Sequence, residues 1–259
     1  MTDLDRIIPL HTSDSGTPLY CVHSSSGSAY SYLGLARTLD RPVYGIEAPG
    51  FDGAREPVRS VPALSAEYVA ALREVRPDGP YLLLGWSLGG ILALDMARRL
   101  TDLGESVPAV VMVDVSVPEV APLPAEKTIV RRFVHEILAS LGAPTPAGLL
   151  ERWPDDAPSD ELLAAAADLL PPELDAELLT ERYGVFRALV QASYGFAVTQ
   201  PYHGPVTHVM ASESLGPHLD WSPMAKDLTE HTVTGTHHSI WSAANLPALA
   251  RLISTALPA

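Results

Sequence analysis

Gly85-Trp86-Ser87-Leu88-Gly89 is the segment of this chain whose residue types point most directly to chemistry. An apolar run, Tyr81–Leu84, precedes it and a helical pattern, Leu88–Leu100, follows. A strand that turns sharply into a helix at a serine exposes the hydroxyl at the helix N-terminus. Free N–H groups and the positive end of the dipole there favour developing negative charge. Glycines on either side of the serine let strand and helix approach closely. A serine hydroxyl is a poor nucleophile at neutral pH, so Ser87 needs a base, and the base needs an orienting acid. Asp114 ends the next apolar run, Pro108–Val113, and fits the acid; Glu213 and Asp220, after the later run Val206–Ala211, are the second choices. Of nine histidines, His237 is the better base, with His238 beside it as a rival. His11, His135 and His203 read as surface residues. Two backbone donors for an oxyanion are expected, the N–H of Leu88 and that of Ser25 in the loop His23-Ser24-Ser25-Ser26-Gly27.

These groups can meet only if the elements carrying them end on one edge. Apolar runs at Pro18–His23, Pro42–Ile46, Pro80–Leu84 and Pro108–Val113 alternate with helical patterns at Tyr32–Leu39, Leu64–Val75 and Leu88–Leu100. Continuous apolar strands alternating with helices imply an α/β fold with a mainly parallel sheet covered on both faces. Reactive groups gather at the carboxyl ends of such strands. Positions 64, 68, 72 and 75 give one helix its apolar face. Residues 116–200 contain no convincing strand, but helical patterns at Lys127–Leu141, Asp160–Leu170 and Glu173–Phe196. In the first of these Ile129, Phe133, Ile137 and Leu141 form a stripe flanked by Val130, Val134 and Leu138, wide enough to cover something. Strands return at Val206–Ala211 and Glu230–Val233, and Ala243–Leu257 closes as a helix. The expectation is one domain over residues 1–259 with a helical insertion at 116–200.

Composition narrows the function classes. The chain has 259 residues, 31 acidic against 17 Lys plus Arg, and a formal charge of −14. Nucleic acid is not expected as a partner, because phosphate binding needs a dense basic face. A single cysteine, Cys21, allows no internal disulfide and suits a reducing compartment. No apolar stretch reaches about 18 residues, so no membrane partner is expected. The reading is a cytoplasmic protein. Lone histidines without Cys or carboxylate at ligand spacing predict no metal.

The ordered motifs PLYCVHSSSG, VYGIEAPG, GPYLLLGWSLGG, VMVDVSVP and VTGTHHSIW resemble, over nearly the whole chain, the thioesterase domains of nonribosomal peptide and polyketide synthases. The resemblance implies an α/β-hydrolase fold, a triad of Ser87, Asp114 and His237, and oxyanion donors at Ser25 and Leu88. It implies no cofactor of the chain's own; the substrate arrives on the phosphopantetheine of an acyl or peptidyl carrier protein. Residues 116–200 become a lid over an acyl channel, with Trp86, Phe133 and Ile137 as substrate contacts. Release by water gives an acid, and release by an internal nucleophile gives a macrocycle. A stand-alone editing thioesterase or small-molecule esterase is the alternative, and a non-hydrolytic binding or isomerising member of the fold a third. One departure is the Ser24-Ser25-Ser26 run, where the family has Pro-Ala-Gly. Lys127, Arg131 and Arg132, with Arg98 and Arg99, are the basic groups that could meet an acidic carrier.

Overall fold

The structure, a computed structural model, describes residues 6–174 and 176–258. The two ends of the expected span 1–259, and position 175 within the third helical pattern, lie outside the described residues. Seven strands form one sheet: β1 (Ile7–His11), β2 (Leu19–Val22), β3 (Val43–Ile46), β4 (Leu82–Trp86), β5 (Ala109–Val113), β6 (Tyr202–Ala211) and β7 (Ala225–Val233). Their order is β1-β3-β2-β4-β5-β6-β7, parallel throughout except for β1 against β3.

The helices are α1 (Leu33–Ala36), α2 (Val61–Val75), α3 (Leu88–Asp102), α4 (Glu126–Ser140), α5 (Ser159–Ala166), α6 (Ala176–Tyr194) and α7 (Leu246–Ala256). Side chains alternate across a strand, so each central strand feeds both layers. Tyr20, Val22, Leu83, Val110 and Met112 pack with α2 and α3, whereas Leu19, Cys21, Leu82, Leu84, Val111 and Val113 pack with α1 and α7. Two covered faces explain why these strands read as uninterrupted apolar runs. The central sheet with flanking helices is the expected α/β-hydrolase arrangement.

Local signals place the helices well. Ser60 caps α2, its Oγ accepting from the Ala63 N–H at 3.4 Å, with Pro62 in the first turn. Leu64, Tyr68 and Leu72 of its stripe are buried, but Val75, at the last turn, is exposed. The edges were harder to read. β1 is short, half-exposed and interrupted at Pro9, so no strand is expected there from the sequence. β7 lies at the opposite edge with polar residues along most of its length, which hides its first half.

Between β5 and β6 the chain forms α4, α5 and α6, with no strand among the described residues. These helices enclose a separate apolar cluster containing Ile129, Phe133, Leu138, Leu162, Leu179 and Phe186. α6 joins it to the sheet: Tyr183, Phe186 and Val190 face that cluster, while Val185, Leu189 and Ala192 pack into the α2/α3 layer.

Where β4 turns into α3, three glycines make contact possible. A Cβ on Gly85 would lie 2.0 Å from the Gly89 carbonyl, one on Gly89 2.3 Å from the Val22 oxygen, and one on Gly90 2.3 Å from Val115 Cγ2. Backbone cannot yield as a flexible side chain can. Gly89→Ala is therefore expected to destabilise the protein by at least about 2 kcal/mol. Gly184→Ala, in an exposed turn of α6 with nothing within 4 Å, is expected to add roughly 0.5–1 kcal/mol. Urea unfolding of both variants checks the contrast.

Candidate active site

Ser87 stands between Trp86, the last residue of β4, and Leu88, the first of α3, with φ 56° and ψ −128°. A non-glycine residue held at positive φ costs about 1–3 kcal/mol, so its surroundings must enforce it. Ser87 N–H donates to the Val113 carbonyl at 3.1 Å, and its own carbonyl accepts from Gly90 N–H at 3.0 Å. These bonds, with the glycine contacts, hold the elbow shut.

Asp114 follows β5 directly and also has positive φ, 49°. Its N–H donates to the Val209 carbonyl at 2.8 Å, turning the side chain toward the strand ends. Oδ1 accepts from the Ala211 N–H at 2.8 Å; Oδ2 accepts from Ser214 Oγ at 2.8 Å and pairs with His237 Nδ1 at 2.6 Å. Burial alone would raise this carboxyl, but the hydrogen bonds from His237, Ala211 and Ser214 outweigh it and hold it below the usual carboxylate range. It is an ionised acceptor. With Nδ1–H given to Asp114, His237 keeps Nε2 for proton exchange.

His237 rides on the loop after β7. Gly235, at φ 123°, makes the turn, and a Cβ there would meet Ser239 Oγ at 2.5 Å. Below the imidazole lies Trp86, ring centroids 5.0 Å apart. His238 points elsewhere: its Nδ1 is 3.9 Å from Glu136 Oε2, and its ring meets those of His135 and Trp86. The geometry thus separates the two adjacent histidines. Neither second-choice acid joins the pair, since Glu213 is exposed and Asp220, also exposed, accepts from Ser222.

A cavity of about 420 Å³ brings Ser25, Ser87, Leu88, Asp114, His237 and His238 to one surface. Leu88 N–H is in the first helical turn and has no intrahelical acceptor. The Ser25 loop rests on a buried pair. His23 Nδ1–H donates to the Ser24 carbonyl at 2.7 Å, and its Nε2 accepts from Tyr68 O–H at 2.6 Å. Burial pushes His23 down to about 4, so the ring is neutral and this tautomer is held. Beneath β5 the buried His208 accepts at Nε2 from the Val115 N–H at 3.2 Å; burial pushes it too down to about 4, against the pull of Asp114.

The residues expected as substrate contacts lie away from this cavity. Phe133 turns into the cluster among α4, α5 and α6, Ile137 packs at its margin, and Leu141 is exposed. Trp86 is buried under the two histidines. None of Trp86, Phe133 and Ile137 borders the cavity; α4 presents Arg132, His135 and Glu136 to it instead, opposite Ile91, Phe186 and Val190. The apolar stripe is consumed by the helices' own core, so the polar face is left for the site. His135 is exposed as expected, but onto the cavity. Ser214 and Tyr68 carried no functional signal, because each acts through a partner far away in the chain, and Glu136 carried none because only the packing of the helices turns it to the cavity. Among the described residues no three His, Cys, Asp or Glu are grouped to hold a metal, and no helix is long and apolar enough to cross a membrane.

The thioesterase domain family model matches residues 17–257. Over 110 residues the chain is 43% identical to malpibaldin synthetase of Mortierella alpina, covering 42% of this chain and 2% of that protein. It is 44% identical over 121 residues to the thioesterase pytI of Aspergillus terreus, covering 41% of this chain and 39% of that one. Its fold matches part of a four-domain nonribosomal peptide synthetase, solved bound to AMP and glycine, with TM-score 0.85 and 27% identity over 98% of this chain and 20% of that chain. The matches thus span 2%, 39% and 20% of these relatives' own lengths, less than two thirds in each case.

Two outcomes follow from this geometry. His237→Ala is expected to lower turnover of an acyl thioester about a thousandfold, and His238→Ala less than about tenfold, in steady-state assays. His23 and His208 refuse protons until about pH 4, while the unfolded chain takes them up near 6.5. The unfolded state binds more protons between those values, so stability falls as pH falls through the window. A melting midpoint that declines from pH 6.5 to 4 is expected, and a flat one from 6.5 to 5 contradicts it.

Proposed function

The chain belongs to the thioesterase domain family, and on that premise we propose that it releases a polyketide or peptide acyl chain from the phosphopantetheine thioester of a carrier protein, through an acyl-enzyme on Ser87. The observation that carries the reading is the 2.6 Å pairing of His237 Nδ1 with the buried Asp114 on the same cavity wall as Ser87. His237 Nε2 takes the hydroxyl proton as Ser87 Oγ attacks the thioester carbonyl. The N–H groups of Leu88 and Ser25 receive the oxyanion. Collapse breaks the carbon–sulfur bond, and His237 returns the proton to the departing thiol. Asp114 keeps the imidazole in its working tautomer and offsets its transient charge.

In the second half-reaction His237 activates the incoming nucleophile. Water yields the free acid; a hydroxyl or amine of the same chain yields a ring. The polar wall of Arg132, His135 and Glu136 supports water, since cyclisation gains from a dry channel. The helices α4–α6 serve as the lid in this scheme. A second reading, a stand-alone editing hydrolase, draws support from the cavity's size, about 420 Å³, toward the lower end of small-molecule sites and suited to short chains.

Most of the basic groups expected to meet a carrier are already engaged. Lys127 pairs with Asp155, Arg98 and Arg99 with Asp95, and Arg132 donates to Tyr194, leaving Arg131 exposed. Intact-mass analysis after exposure to short and long acyl thioesters tests the scheme. An acyl adduct is expected on the wild type and none on Ser87→Ala, whose turnover should drop at least about a thousandfold. Wild-type turnover by Ser87→Ala would defeat the proposal, and a strong preference for short chains would favour the editing reading.

A further inference from the structure

Glu136 is a group in the cavity that the scheme above does not use. It lies on α4 at the margin of the helix's apolar stripe, one turn from Phe133, with a side chain only 19% exposed. No hydrogen-bond donor among the described residues reaches its carboxylate. The nearest polar group, His238 Nδ1, is 3.9 Å away, beyond hydrogen-bond range. Burial pushes the Glu136 carboxyl up to about 7, with nearby His237 pulling it down. Its oxygens still open onto the cavity, and a partly desolvated carboxylate gains more from a charged donor than from water alone.

The neighbours do not supply one. His238 is pushed down to about 4 by burial and by His237 and His135, so it carries no positive charge near neutral pH. The Arg132 guanidinium donates to Tyr194 O–H at 2.9 Å. Glu119 lies on the same wall as Glu136 and Arg132, and Asp114 is paired with His237. Three carboxylates against one guanidinium give the cavity an acidic field, which draws cations and repels anions.

We propose that Glu136 is a specificity-determining residue that binds a protonated nitrogen on the acyl chain, a few bonds from the thioester carbonyl. The ammonium N–H groups fill the empty acceptor positions of the carboxylate, and neutral His238 accepts a further hydrogen bond beside it. The proximity of Glu136 to His238, next to the base His237, sets the short spacing between nitrogen and carbonyl. This inference rests on the acyl-enzyme reading of Ser87, and it adds the kind of chain that the site selects.

The test compares two thioesters of N-acetylcysteamine with acyl groups of equal length, 3-aminopropanoyl and butanoyl. Wild-type kcat/KM is expected to favour the aminoacyl thioester by about tenfold, the scale of one charge-assisted hydrogen bond. Glu136→Gln, matched in shape, is expected to bring the ratio close to one. A merely structural role would lower both substrates together, so the ratio is the discriminating quantity; a fluorophosphonate adduct on Ser87 reports that the variant is folded. A wild type without preference overturns the inference even if Glu136→Gln fails to fold, and so does a variant that keeps its ratio within about twofold. Turnover of butanoyl thioester without an aminoacyl advantage removes this inference alone. No turnover of either thioester and no Ser87 adduct removes the acyl-enzyme reading with it.

Discussion

The backbone contact between the end of β4 and the start of α3 is the constraint from which the rest of the site follows. Gly85 and Gly89 lie so close that any side chain on either would overlap backbone, and Gly90 leaves the same room for Val115. Only that closeness lets Ser87 take positive φ with its hydroxyl raised at the mouth of a helix. The strain is local, but its restraint is not. Val22 at the end of β2 and His23 after it, Val113 from β5 and Val115 beyond it all press on the same turn. Two neighbouring strands thus fix the serine's position, and those strands also lead into the Ser25 loop and Asp114.

The parallel order of the sheet does the remaining assembly. β5 and β6 pair with Val113 opposite Val209, so the Asp114 N–H meets the Val209 carbonyl and its carboxylate reaches the Ala211 N–H. β7 runs beside β6 and delivers the loop of His237 to the same edge. A buried carboxylate is unfavourable in isolation, and here three donors converge on it. The same logic appears under the Ser25 loop, where the neutral His23 ties the Ser24 carbonyl to Tyr68 of α2. Both ends of the cavity therefore stand on hydrogen bonds made inside the core, which suits a site that must hold charge in place.

The inserted helices divide their surface between a shared apolar core and the wall of the cavity. Their apolar residues satisfy one another in a cluster apart from the sheet's own layers. What α4 shows the cavity is a guanidinium, an imidazole and a carboxylate. A cavity walled this way offers charge and hydrogen bonds beside its apolar residues. The acidity of the whole chain, −14 formally, has a local counterpart at the centre of its chemistry.

Much of this was legible in the residues alone. The Gly-x-Ser-x-Gly turn, the apolar strand runs and the order serine, aspartate, histidine follow from local pattern, because backbone strain and two-face burial each leave marks within a few residues. The element types of the interior were readable for the same reason, while β1 and the first half of β7, polar and at the edges, were not. Tertiary structure alone decided between His237 and His238, since neighbours in sequence differ only in which way the loop turns them. It placed Ser214 on Asp114, across a hundred residues of chain. It also reversed the reading of α4. A helical stripe says that Phe133 and Ile137 are covered, but not whether by ligand or by other helices, and only the packing of α5 and α6 against that stripe leaves Glu136 to face the serine's cavity.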